Sequence, residues 1–177
     1  MVNADSSLLD EGISFLSELE GWRGTADFNL AAISAVMAEL GNPQEKLKAV
    51  HVAGTNGKGS VAAFTAAALA HTGYKTGLSI SPHLSRVNER ISINGRPVED
   101  EMLAYYALKV RSAVAKAGVK LSYFEGITAI AFLLFLEEGV EKSVFEVGLG
   151  GRLDATNIVS KPLAAVITSI SKDHRHI

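Results

Sequence analysis

Seven residues, Gly54-Thr55-Asn56-Gly57-Lys58-Gly59-Ser60, separate a short β-prone run (KAVHVAG, from Lys48) from an alanine-rich segment, VAAFTAAALAHTG, whose helix ends at Gly73. A strand that enters a helix through glycines opens a βαβ unit, which restricts the chain to a parallel α/β sheet. The same string restricts the chemistry. Glycines let the backbone turn tightly and bring its N–H groups up to phosphate oxygens, and the following helix points its positive N-terminal end at the same spot. Lys58 supplies a mobile positive charge for β- and γ-phosphates, and Ser60 a hydroxyl for phosphate or metal. The string departs twice from G-x-x-x-x-G-K-[ST]: Val52 holds the first position, and Gly59 separates Lys58 from Ser60. A plain glycine turn with an exposed lysine is the alternative. It leaves the lysine without a structural purpose, so phosphate binding is the favoured reading.

The rest of the chain continues the alternation. Residues 6–20 place Leu8, Leu9, Ile13, Leu16 and Leu19 at helical spacing, and Asn29 is placed to cap a second helix over 30–40, stopped by Gly41-Asn42-Pro43. TGLSIS reads as a strand, RISI-Asn94-Gly95-RPV as a hairpin, and 99–117 and 123–138 as helices. KSVFEVG is a strand entering a second glycine-rich loop, GLGGRLDATN, and PLAAVITSI is a further strand. The expected fold is α/β: a P-loop-type parallel sheet with helices on both faces, residues 47–177, against which a helical segment, 1–46, packs. No helix returns after SISKDHRHI, so the sheet reads as truncated there.

Composition removes whole classes of function. Hydrophobic residues make up 47% of the 177, which excludes a disordered chain, and the absence of cysteine excludes a disulfide scaffold, a thiolate zinc site and a cysteine nucleophile. A net charge of −2 argues against a nucleic-acid partner. The charge is uneven: residues 1–50 carry net −5 and residues 51–177 net +3, so the later part is where an anionic ligand belongs. The longest apolar run, Ile127–Leu136, is ten residues, about half of the ~20 that span a bilayer, and implies a buried helix and no membrane partner. No basic stretch leads into an apolar one at the N-terminus, so the cytoplasm is the expected compartment.

Other candidate residues lie where strands end. Ser81 closes TGLSIS before Pro82, where a turn-initiating serine and a ligand hydroxyl are both possible roles. Glu146 ends SVFE, and a carboxylate at a strand tip beside a phosphate loop is placed to hold Mg²⁺ or its water. His174 follows VITSISKD, and alone it reads as a solvent histidine. In the second glycine loop, Arg152 is suited to a carboxylate or phosphate and Asp154 to an amino-substituted heterocycle; the alternative there is a flexible connector. Tyr123 and Phe124 read as core.

Taken in order, HVAGTNGKGS, SPHL, NERI, EVGLGGRLDATN and VITSISKDH resemble the folylpolyglutamate synthase / dihydrofolate synthase family of the Mur-ligase superfamily, from about Asn29 onward. In that family the extra glycine of GTNGKGS is expected. The resemblance implies ATP as co-substrate, bound by Thr55, Asn56, Gly57, Lys58, Gly59 and Ser60 with Lys58 catalytic, and Mg²⁺ held by Ser81, Glu146 and His174. It implies a pterin-type substrate contacted by Asn29, Leu30, Ser122, Leu153, Asp154 and Ala155, with Asp27 an alternative to Asn29. The implied reaction phosphorylates the carboxylate of dihydropteroate or a reduced folate, and the amino group of L-glutamate displaces the phosphate. Family members are longer, ending in a C-terminal glutamate-ligase domain absent here, so the resemblance implies an N-terminal fragment inactive alone, and a monomer. The competing readings are a non-catalytic nucleotide- or pterin-binding module and another Mur-type amino-acid ligase.

Overall fold

The computed structural model describes residues 6–21 and 29–171. Two helices come first, α1 (Ser6–Gly21) and α2 (Ala31–Glu39). Strand β1 (Ala49–Ala53) leads through the glycine loop into α3 (Lys58–His71) and then β2 (Thr76–Ser79). A hairpin, β3 (Ile91–Ile93) and β4 (Arg96–Pro97), precedes α4 (Asp100–Ala117) and α5 (Tyr123–Glu137), and β5 (Lys142–Glu146) and β6 (Ala164–Ile167) complete the sheet.

The sheet order is β4-β3-β2-β5-β1-β6. The four strands β2, β5, β1 and β6 run parallel, as their alternation with helices requires, while the hairpin adds two antiparallel strands beyond β2. The sheet is therefore mixed rather than purely parallel. A two-residue turn at Asn94-Gly95, both with positive φ, reverses the chain too sharply for any crossover, which is what sets β4 antiparallel to β3.

Strand alternation assigns the two faces. Val50, Val52 and Val144 point to α3 and pack on Ala62 and Ala66. Ala49 and Phe145 point the other way, where the Phe145 ring meets those of Phe132 and Phe135 at 4.4 and 5.6 Å between centroids. Helix α5 is apolar all round and buried from Gly126 to Phe135, because the sheet covers one side and α4, α1 and α2 the other. Helices α1 and α2 share that core through Phe15, Leu16, Leu19, Ile33, Val36 and Met37. Strand β6 pairs with β1 on one side only, and Leu163, Ile167 and Ile170 around it are exposed. Among the described residues no helix is long and apolar enough to cross a membrane.

Candidate functional site

Register places the chemistry. Val52 of β1 pairs with Glu146 of β5, and Ser79 of β2 with Phe145, so the glycine loop, Glu146 and Ser81 all emerge at the carboxyl end of the parallel strands. Gly54 opens the loop at φ +135, and a Cβ there would stand 2.0 Å from the Thr168 hydroxyl oxygen; only glycine fits. The loop is pinned from the β6 side. The Thr55 amide donates to the Ser169 carbonyl at 2.8 Å, the Thr168 amide to the Ala53 carbonyl at 2.8 Å, and the Thr55 hydroxyl to the Ser171 carbonyl at 3.1 Å. Gly57, with φ +81, is the residue before α3, so the free N–H groups of the first helical turn face outward from the loop. Lys58 folds back and donates its Nζ to the Thr55 carbonyl at 3.2 Å. Asn56, Gly57 and Ser60 are exposed.

Glu146 lies against this loop and is buried, at 7% exposure. It accepts the Ser81 amide at 3.1 Å. Burial pushes its carboxyl above the usual carboxylate range, and the Ser81 amide, the Lys58 charge and the Gly59 amide all pull the other way. A methyl at Gly59 would sit 3.4 Å from both Glu146 oxygens, so the extra glycine preserves room in front of the carboxylate. A buried carboxylate beside a phosphate loop is an oxygen donor of the kind that suits Mg²⁺, which takes one or two carboxylates and completes its shell with phosphates and water. Among the described residues no three His, Cys, Asp or Glu side chains cluster as a metal site. His174, and the alternative Asp27, lie outside the described residues.

A cavity of about 460 Å³ adjoins the loop, lined by Asn29, Ser81, Pro82, Arg90, Ser122, Phe124, Glu125, Gly148, Leu149, Leu153, Asp154 and Ala155. Five of the six residues expected to contact a pterin are therefore brought together, from three separate stretches of chain. The sixth, Leu30, is not among the lining residues and packs against the core. Two of the five also have local duties. The Asn29 side chain accepts the Ala31 amide at 2.9 Å, and Ser122 forms a capping box with Glu125 at the start of α5.

Asp154 differs from its sequence-level reading in a specific way. One carboxylate oxygen accepts the amides of Gly148 and Leu149, each at 2.9 Å. The other accepts the Thr156 amide at 3.0 Å and the Thr156 hydroxyl at 2.5 Å. A carboxylate has about four acceptor positions, and the loop fills them all. Asp154 folds the second glycine loop beside the cavity, and Arg152 stays exposed and is not among the lining residues.

Sequence reasoning gave Arg90 and Phe124 no ligand role, yet both line the cavity. Arg90 is the one cation among the lining residues. Its Nε donates to His83 Nδ1 at 2.8 Å and its guanidinium lies 5.2 Å from the centre of the Tyr123 ring. The turn that delivers it is fixed by Glu89, which accepts the amides of Leu84, Ser85 and Arg86, and by the Arg86–Asp100 ion pair at 2.7 Å. The amides of Leu84 and Arg86 hold the Glu89 carboxyl below its usual range. An Asn-Glu-Arg string carries no mark of that turn.

The chain matches the family model for the Mur ligase middle domain over residues 52–176. It is 46% identical over 154 residues to the dihydrofolate synthase/folylpolyglutamate synthase of Bacillus subtilis (strain 168), covering 84% of this chain and 35% of that relative. Among solved structures it is similar to the Mycobacterium tuberculosis folylpolyglutamate synthase complexed with ADP (TM-score 0.85, 39% identity, 96% of this chain and 38% of that one). It is likewise similar to E. coli FolC in complex with DHPP and ADP (TM-score 0.84, 40% identity, 98% and 41%). The chain thus spans about a third of the length of the curated relative named here. With the fold, the loop and these matches in agreement, the chain belongs to the Mur ligase middle-domain family, and these relatives are folylpolyglutamate and dihydrofolate synthases.

Proposed function

We propose that this chain supplies the ATP-binding and carboxyl-acceptor sites of a ligase that joins L-glutamate to dihydropteroate or a reduced folate. One observation carries the reading: Ser81 lines the acceptor cavity while its amide holds Glu146 against the phosphate loop. A carboxylate reaching out of the cavity would meet a γ-phosphate at that seam. Solved relatives bind ADP, and one binds DHPP and ADP together, which supports the pairing of ligands.

In the proposed reaction the acceptor carboxylate attacks the γ-phosphorus, ADP leaves, and the glutamate amine then displaces phosphate from the acyl phosphate. Negative charge grows on the transferring group, and the loop amides and Lys58 are placed to stabilise it. Lys58 would release the Thr55 carbonyl and swing to the phosphates. Glu146, with the hydroxyls of Ser81 and Ser60, would hold Mg²⁺, and His174 is proposed as a further ligand. The metal, when bound, would supply positive charge to offset the charge of the phosphates. In the cavity, Phe124 and Leu153 offer apolar surface to a flat heterocycle, and Arg90 offers a cation to the acceptor's carboxylate. Residues 1–46 are proposed to act as an accessory segment that packs on the ATPase domain and supplies Asn29 to the cavity. The protein is proposed to work as a cytoplasmic monomer.

Titration calorimetry with AMPPCP, Mg²⁺ and dihydropteroate tests this. The chain should bind both ligands, and Lys58→Ala should weaken AMPPCP by at least about tenfold, the loss of one charge-assisted contact. Unchanged nucleotide affinity in that variant would remove Lys58 from its role, and binding of AMPPCP without dihydropteroate would favour a nucleotide-binding module instead.

A further inference from the structure

The chemistry of the two glycine loops has a third participant, on the strand that leads into the first of them. His51 lies on β1 and faces the α5 side of the sheet, the side of Phe145 with which it is in register. Its Nε2 stands 2.6 Å from the Thr156 hydroxyl oxygen. That hydroxyl is in turn 2.5 Å from Asp154 Oδ1. Proton counting fixes the direction of the chain. An ionised carboxylate only accepts, so the single hydroxyl proton of Thr156 goes to Asp154. The hydroxyl can then only accept from His51, whose Nε2 must carry a proton. Thr156 and Asp154 are both buried, at 1% and 6% exposure, so neither partner can be replaced by bulk water.

We propose that His51 and Thr156 are positioning residues of the acceptor cavity: a donor chain from β1 through Thr156 sets the Asp154 carboxylate, and with it the loop wall that carries Leu149, Leu153 and Ala155. The inference rests on the reading of that cavity as the acceptor site. Its mechanical content is that the acceptor wall is anchored on the strand next to the phosphate loop. Two residues beyond His51, β1 ends at Ala53 and the phosphate loop begins. Asp154 holds the Gly148 and Leu149 amides that follow Glu146 and Val147. The strand whose end opens the phosphate loop therefore also anchors the acceptor wall, through Thr156 and Asp154. Burial holds the His51 ring below its ordinary pKa, with Asp154 as the opposing charge.

The test uses the whole 177-residue chain with His51→Ala, Thr156→Val, and the conservative pair His51→Gln and Thr156→Ser. Glutamine can place an amide N–H close to the position of Nε2, and serine keeps the hydroxyl. His51→Ala and Thr156→Val should weaken dihydropteroate at least about tenfold, the effect of one lost buried hydrogen bond, with AMPPCP affinity held within about twofold. His51→Gln and Thr156→Ser should restore dihydropteroate binding. Amide exchange by NMR gives a readout that needs no ligand: the Gly148 and Leu149 amides should lose protection in the disruptive pair and regain it in the conservative pair. Wild-type affinity and wild-type exchange in His51→Ala would overturn the inference, as would equal loss of both ligands without rescue. A wild-type chain that fails to bind dihydropteroate would overturn the acceptor reading itself, and the exchange experiment would still decide whether His51 holds the loop.

Discussion

Gly54 shows how narrowly a single residue can be specified. Its φ of +135 and the 2.0 Å approach of the Thr168 hydroxyl to a built Cβ are independent penalties. Gly54→Ala should destabilise the fold by about 2–3 kcal/mol, combining backbone strain with local overpacking, as read from urea unfolding. Glu146 is specified in the opposite sense. Its burial opposes ionisation and outweighs the pull of the Lys58 charge and the Ser81 and Gly59 amides, so its charge works against folding in the ligand-free chain. Glu146→Gln should leave the ligand-free chain at least as stable as wild type while abolishing the Mg²⁺ dependence of AMPPCP binding; a clear drop in melting temperature without ligand would contradict this. His51 gives the pH dependence. Its folded pKa lies below the unfolded value of 6.5 because burial outweighs the pull of Asp154. Below about pH 6.5 the unfolded chain takes up a proton that the folded ring resists, so stability should fall as pH drops through that point and level off once the folded ring also titrates. Urea midpoints between pH 7.5 and 5 measure it, and His51→Gln should flatten that segment of the curve.

At the scale of elements, α5 is the most continuously buried helix among the described residues. Ten consecutive residues from Gly126 are buried, and Phe132 and Phe145 stack at 4.4 Å between the helix and the sheet. Phe132→Ala should cost about 3–5 kcal/mol, the usual range for emptying a fully buried aromatic site, checked by chemical denaturation. This helix was legible from its apolar run, and so were the two glycine loops, because each depends on neighbours within a few residues. The turn ending at Arg90 was not. Its shape comes from Glu89 gathering three amides and from the Arg86–Asp100 pair across fourteen residues, and no local pattern encodes such a set of contacts. Ser122 lies between the two cases: Ser-x-x-Glu marks a helix start in the sequence, but its place on the cavity wall depends on where α5 packs.

The molecule as a whole is asymmetric across its sheet. One edge is closed by the Asn94-Gly95 hairpin, whose strands are short and whose β4 is exposed. The other ends in β6, a regular parallel strand with one side unpaired among the described residues and with Leu163, Ile167 and Ile170 exposed at 55, 66 and 77%. An open strand with apolar neighbours is a template for pairing with other chains. Ile167→Lys should slow concentration-dependent aggregation on heating, followed by light scattering, without shifting the urea midpoint by more than a few tenths of a kcal/mol, as expected of a surface position.

The order of strands and helices, the phosphate loop and the carboxylate at the tip of β5 were set by the sequence alone, since periodicity and glycine placement act over one element and its immediate junctions. Which residues share a cavity was decided only in three dimensions. The meeting of Asn29, Arg90, Phe124 and Leu153, and the capture of Asp154 by its own loop, arise because four strands end at one level and α5 crosses behind them. Contacts of that kind join residues up to 126 positions apart, and such distances are closed by burial of the core rather than by any local preference of the chain.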